Sequence, residues 1–127
     1  MDSDRRAAAE YGVIRIRVMN RLRELPLHDA LLHQINIDWK NHITKFDVSA
    51  FIHNGKNAEP CTLTFSGVSN VSVPHNNAWG ESLFINEVNV IDDAVEIHMQ
   101  SGDIIKISAV SFTFETNTTY NRVAGGF

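Results

Sequence analysis

The sequence predicts a mainly β fold, an antiparallel sandwich or open barrel with an N-terminal helix. Three observations predict it. Apolar and polar residues alternate in several short segments between residues 35 and 114, the signature of half-buried strands. Turn-forming residues separate those segments. Only the first 25 residues space their apolar side chains three or four apart, as a helix packed on one face does.

In that first segment Tyr11, Ile14, Val18, Leu22 and Leu25 form one stripe. Ser3 and Asp4 are suitable N-caps and Pro26 marks an end. A strand over residues 13–18 competes with the helix, because Ile14, Ile16 and Val18 alternate with Arg15 and Arg17. The longer stripe favours the helix. Residues 1–26 are therefore read as a basic helix packed on the domain, 27–116 as the antiparallel β domain, and 117–127 as a tail. Together they make one domain.

Leu27–Leu32 is expected to add one helical turn, after which the period changes to two. Ile35, Ile37 and Trp39 alternate with Asn36, Asp38 and Lys40; Phe46, Val48, Ala50 and Ile52 repeat the pattern, with Phe51 on the polar side. Asn54-Gly55-Lys56-Asn57 is turn chemistry. Cys61, Leu63 and Phe65 give a third strand, and Val71 and Val73 a short one ended by Pro74. Residues 74–82 form the clearest loop. Leu83–Ile91 fits either a strand or a short helix. Val95, Ile97 and Met99 then pair with Ile107, Ile105 and the residues that follow Gly102, a hairpin whose turn needs a left-handed residue at Gly102. The last apolar set shifts from odd numbers (Ile105, Ile107, Ala109) to even ones (Val110, Phe112, Phe114). A strand changes parity only through a bulge, a bend or a move between sheets, so one of these is expected at Ser108–Val110.

A chain of 127 residues, 43% hydrophobic and 20% charged, can bury a core without disulfide staples. Cys61 is the single cysteine, which excludes an internal disulfide framework and suits a reducing compartment. No signal peptide is read, no apolar run approaches the roughly 20 residues of a membrane span, and a cytoplasmic location is expected. The Asn70-Val71-Ser72 and Asn117-Thr118-Thr119 triplets would matter only in a secreted chain.

The net charge of −4 is unevenly distributed: residues 1–24 carry +2, with six arginines, and the remainder −6. An acidic body repels phosphates, so nucleic acid is not an expected partner. The six histidines (28, 33, 42, 53, 75, 98) lack the close spacing of a zinc site, and no metal or cofactor is expected. His28-Asp29 sits at an expected helix start, Asp92-Asp93 at an expected turn, and no Gly-x-Ser-x-Gly elbow or phosphate loop is present. Cys61 has inward parity and is expected to be buried and inert. No enzyme motif emerges.

Two aromatic side chains are left over. Trp79 lies in a polar loop beside Glu81, and Phe51 breaks its strand's alternation. Exposed aromatics anchor interfaces, so Trp79, Phe51 and Glu81 form the candidate interaction surface. In the structural alternative, Trp79 folds back to plug the end of the sandwich and Phe51 lies under the helix.

The strings Leu27-His28-Asp29-Ala30-Leu31-Leu32, Ile35-Asn36-Ile37-Asp38-Trp39, Trp79-Gly80-Glu81-Ser82 and Ser101-Gly102-Asp103 resemble small uncharacterised bacterial proteins. Some of these are encoded beside polymorphic toxins and look like immunity proteins. The resemblance spans about residues 27–114, carries no catalytic residue, and implies a non-enzymatic cytosolic module that neutralises a toxin. An acidic surface suits a basic toxin domain as partner. The alternatives are a small-ligand-binding protein or enzyme with a site assembled from scattered strand residues, and a structural homo-oligomer, such as a homodimer through the N-terminal helix.

Overall fold

The computed structural model describes residues 19–53, 57–92 and 94–117. Eight strands form two open antiparallel sheets: β1 (Leu31–Asp38), β2 (Ile43–Ala50), β3 (Glu59–Ser66) and β8 (Ser111–Thr116) in the order β1-β2-β3-β8, and β4 (Asn70–Ser72), β5 (Ile85–Ile91), β6 (Ala94–Met99) and β7 (Ile104–Ser108) in the order β4-β7-β6-β5. Neither sheet closes into a barrel.

Alternation explains the core. Phe46, Val48 and Ala50 of β2 pair with Leu63, Cys61 and Glu59 of β3, while Val95 and Ile97 of β6 pair with Ile107 and Ile105 of β7. The apolar members of these pairs are buried and belong to one cluster drawn from both sheets. Phe46 and Phe65 meet edge to face, with centroids 5.7 Å apart, a geometry worth about 0.5–1.5 kcal/mol beyond area burial.

The sheets are joined at two corners. At the first, the Leu83–Ile85 backbone pairs with residues 29–32: Leu32 N–H donates to Leu83 O, Ile85 N–H to Ala30 O and Asp29 N–H to Ile85 O. Bulges at His33 in β1 and Asn86 in β5 adjoin this corner and add the local twist it requires. At the second corner the chain itself crosses twice, from β3 to β4 through Gly67 and from β7 to β8 through Ala109 and Val110. The parity change at Ser108–Val110 is thus a move between sheets.

The Gly102 hairpin has the expected register, Ile97 opposite Ile105 and Val95 opposite Ile107, and Gly102 has φ 96. Of the segment Leu83–Ile91, Ile85–Ile91 is strand and Phe84 forms an isolated bridge to Leu31. The segment's helical look came from the bulge: Asn86 is the extra residue, so inward positions step from Ile85 to Val88 and Val90. Asp92, φ 55, opens the turn into β6 as expected.

The N-terminal reading needs correction where it can be seen. Most of the predicted helix, with the competing strand over 13–18 and the proposed dimer face, lies at residues 1–18, outside the described residues. Its described end is no long helix: Arg21–Glu24 is a 3-10 turn and Leu25 is extended at φ −73, ψ 147. Pro26 follows, and its ring disfavours the helical conformation in the residue before it. No helix of seven or more residues occurs among the described residues, and none is long and apolar enough to cross a membrane. Met19 and Leu22 are nevertheless buried in the core, and Arg23 Nη2 donates to the Val90 carbonyl of β5 at 2.6 Å. The helical turn expected over Leu27–Leu32 is also absent. Asp29 adopts φ 65 and Leu31 already belongs to β1, so His28-Asp29 caps no helix.

Candidate functional site

Between β4 and β5 the chain makes a long loop, and a buried carboxylate organises it. Asp103 follows Gly102 in the β6–β7 hairpin and is only 4% exposed. Its two oxygens accept the N–H groups of Asn76 at 2.9 Å and Asn77 at 3.1 Å, and Oδ2 also accepts the Ser101 hydroxyl at 3.0 Å. The Asn76 amide is the largest cause of a carboxyl held below its ordinary value. Burial opposes the shift, while Asn77 and the Ser101 and Ser82 hydroxyls reinforce it. Farther along, Asn77 Oδ1 accepts the Ser82 N–H and Ser101 O accepts the Trp79 N–H at 2.9 Å. A loop this tethered holds its side chains in place before any partner arrives, which lowers the ordering cost of binding.

Trp79 stands on that scaffold, 74% exposed. Its Cδ1 and Nε1 lie 3.6 Å from where a Cβ of Gly102 would sit, so the indole rests its edge on the hairpin and offers the remainder to solvent. It neither plugs the core nor floats free. Beside it, on the outer face of the second sheet, lies an open cleft of about 430 Å³, walled by Trp79, Gln100 and Gly102 and lined further by Asn86, His98 and Ile104. His98 Nε2 donates to Glu96 Oε1 at 3.0 Å, with Asn89 Nδ2 3.4 Å from the same nitrogen. Lys106 Nζ reaches Glu96 Oε2 at 3.9 Å. Gln100 Nε2 donates to Asp29 Oδ1 at 2.6 Å.

The other sequence-predicted surface residues are placed less tightly. Glu81 is exposed in the same loop as Trp79. Phe51 follows the end of β2 and is 47% exposed, so it is not under a helix among the described residues. No described contact joins it to Trp79. Cys61 is buried, and burial pushes its thiol up, against nucleophile chemistry. The histidines are dispersed: His33 shares a hydrogen bond with Ser49, His42 donates to the Val68 carbonyl, and His53 lies in the loop after β2 of the first sheet while His98 lies on β6 of the second. Among the described residues no three His, Cys, Asp or Glu side chains form a metal-holding group.

One exposed aromatic escaped the sequence reading. Trp39 continues the alternation of Ile35 and Ile37 and reads as core, yet it is 88% exposed. It belongs to the turn between β1 and β2, past the end of the sheet, where inward parity has nothing to face. The Asp38 and Asn41 that clasp this turn were the signal available, since Asx residues favour turns.

No family model matches the chain, and no curated protein matches it. Among solved structures the chain is similar to the crystal structure of an uncharacterized protein from Neisseria gonorrhoeae, 24% identical, with 69% of this chain and 91% of that chain covered and a TM-score of 0.49.

Proposed function

We propose that this protein is a non-enzymatic protein-binding module that engages its partner through the Trp79 loop. One observation carries the reading: a large aromatic side chain is held exposed on a loop whose backbone is pinned by a buried carboxylate. Evolved hot spots combine bulk, exposure and preorganisation in this way. The acidic balance of residues 25–127 suits a basic partner. In its narrower form the proposal is a bacterial cytosolic immunity protein that covers a basic toxin domain.

The test compares the full chain with Trp79→Ala. The reading expects one protein to be recovered from the native host with the unaltered chain, to rebind as a purified component, and to bind Trp79→Ala at least about tenfold more weakly, a hot-spot loss of roughly 1.4 kcal/mol or more. Equal affinity for both chains overturns it. For the narrower form, co-expression should protect cells from the purified partner's gene, and protection should fail with Trp79→Ala.

The second reading, a small-ligand site, is favoured by the cleft beside Trp79. Its lining contributes one titratable side chain, His98, and it opens broadly to solvent, whereas a catalytic pocket is expected to enclose its substrate and combine several such groups.

A further inference from the structure

We infer that the Trp79 cleft receives an arginine side chain presented by the partner; this rests on the protein-binding reading and names the chemistry of its central contact. Each polar side chain of the lining offers an acceptor beside its donors. Gln100 commits Nε2 to Asp29, which leaves Oε1 as an acceptor. In the tautomer that donates Nε2–H to Glu96, His98 presents Nδ1 as an acceptor. Asn86 contributes a side-chain amide whose carbonyl can also accept.

Charge points the same way. Glu87 lies directly across the strand pair from His98, and Glu81 is two residues from Trp79. Neither forms an ion pair with another described residue, whereas Lys106 is already engaged with Glu96. The cleft therefore combines an aromatic wall and acceptors, with the Glu87 carboxylate on the neighbouring strand beside His98. A guanidinium fits all three: it is planar, permanently charged, carries five N–H donors and no acceptor, and stacks on indole. An ammonium lacks the plane, and an anion would meet acceptors and like charge. Because the cleft is open on one side, a protein that carries the arginine would also supply the missing cover.

The test is a titration of the full 15N-labelled chain with N-acetyl-arginine amide, and with its lysine and citrulline counterparts, followed by NMR. Trp79→Phe identifies the Trp79 indole N–H, and Trp39 serves as the internal control. Arginine amide should shift the Trp79 indole and Gly102 amide saturably and leave Trp39 unmoved. Lysine amide should bind at least about threefold more weakly, as should arginine amide to Glu87→Gln. Citrulline amide, which keeps the shape and loses the charge, should not saturate. Trp79→Leu should abolish the effect; if that variant does not fold, Glu87→Gln decides. No saturable shift, or citrulline equal to arginine, overturns the assignment. If Trp79→Ala loses the protein partner while arginine amide fails to bind, the arginine assignment falls and the binding reading stands. If the partner ignores Trp79 while the amide binds, the reverse holds.

Discussion

The two corners that join the sheets are built by different means, and each carries an exposed tryptophan beside it. At the first, two edge segments meet through backbone hydrogen bonds, two bulges twist the strands, and a buried Asp103–Ser101 hub secures the Trp79 loop. At the second, the chain crosses twice and packs tightly. Val68 N–H donates to His42 O, in the Trp39 turn, while Val110 N–H donates to Ser66 O. The first corner depends on polar satisfaction and the second on steric fit. A polar hub can fix a long loop in space with few apolar contacts, which suits a surface meant for a partner. A packed crossover fixes the fold.

The largest effect should come from breaking the packed corner. Gly67 has φ 65, and a Cβ there would lie 2.6 Å from Val110 Cγ2 and 2.8 Å from Val110 Cβ. Gly67→Ala thus combines an unfavourable left-handed residue with overpacking, at roughly 2–4 kcal/mol together. Denaturant unfolding measures the loss. Val110→Ala in the same chain should recover part of it, because the 2.6 Å Cγ2 contact disappears while the 2.8 Å Cβ contact and the backbone cost remain. Equal stability of Gly67→Ala and the unaltered chain would sink the steric account of this corner.

The polar corner should break more locally. Ser101 is 1% exposed; its hydroxyl donates to Asp103 Oδ2, lies 2.8 Å from the Ser82 hydroxyl and accepts the Asp103 N–H. Ser101→Ala leaves buried partners unsatisfied and should cost about 1–3 kcal/mol. Hydrogen exchange should rise at Asn76, Asn77 and Trp79, and remain unchanged at Asn41 and His42. Uniform acceleration at both corners would show that the hub is not a local tether.

Local pattern reached some of these features and missed others for physical reasons. The Gly102 hairpin was legible because register, turn length and left-handed glycine all depend on neighbouring residues. The crossover at Ala109–Val110 was legible because a parity change has few explanations. The bulges at His33 and Asn86 use the same parity logic, but each shift is hidden among consecutive apolar residues, Leu31-Leu32 and Leu83-Phe84-Ile85. Trp79 stood out because its surroundings are polar. Trp39 did not, because alternation reports which way a side chain points and not whether a second sheet covers it. The Asp103 hub joins residues about 26 apart in sequence, so no local window contains it.

Acid separates the two tryptophans by their tethers. The Asp103 carboxyl is held below its ordinary value of 3.8, first by the Asn76 amide. Asp38 is likewise held below 3.8, first by the Asn41 side chain. A depressed carboxyl contributes stability that is present above its unfolded value and lost as pH falls through the folded one. Both tethers should therefore loosen below pH 3.8. Trp79 emission in a Trp39→Phe chain and Trp39 emission in a Trp79→Phe chain report them separately, with circular dichroism marking global unfolding. Asp103→Asn should remove the acid step at Trp79 and leave the one at Trp39. An unchanged Trp79 step in Asp103→Asn would show that another group holds the loop.

The smallest expected effect lies beneath the Trp39 corner. Thr44 pairs across the strands with Ile37 on one side and Phe65 on the other, is fully buried, and its Oγ1 has no hydrogen-bond partner among the described residues. Threonine and valine differ little in volume, so Thr44→Val exchanges an unsatisfied hydroxyl for a methyl without opening a cavity. A buried hydroxyl with no partner forfeits its hydration, and replacing it by an apolar group of the same shape is neutral or favourable. Thr44→Val should leave stability unchanged or raise it by up to about 1 kcal/mol. The comparison with Ser101→Ala sharpens the contrast between the corners: both remove one buried hydroxyl, and the predicted signs are opposite because one hydroxyl is bonded and the other is not. A loss of more than about 1 kcal/mol in Thr44→Val would mean that Oγ1 has a partner, and that the packed corner also relies on a polar contact.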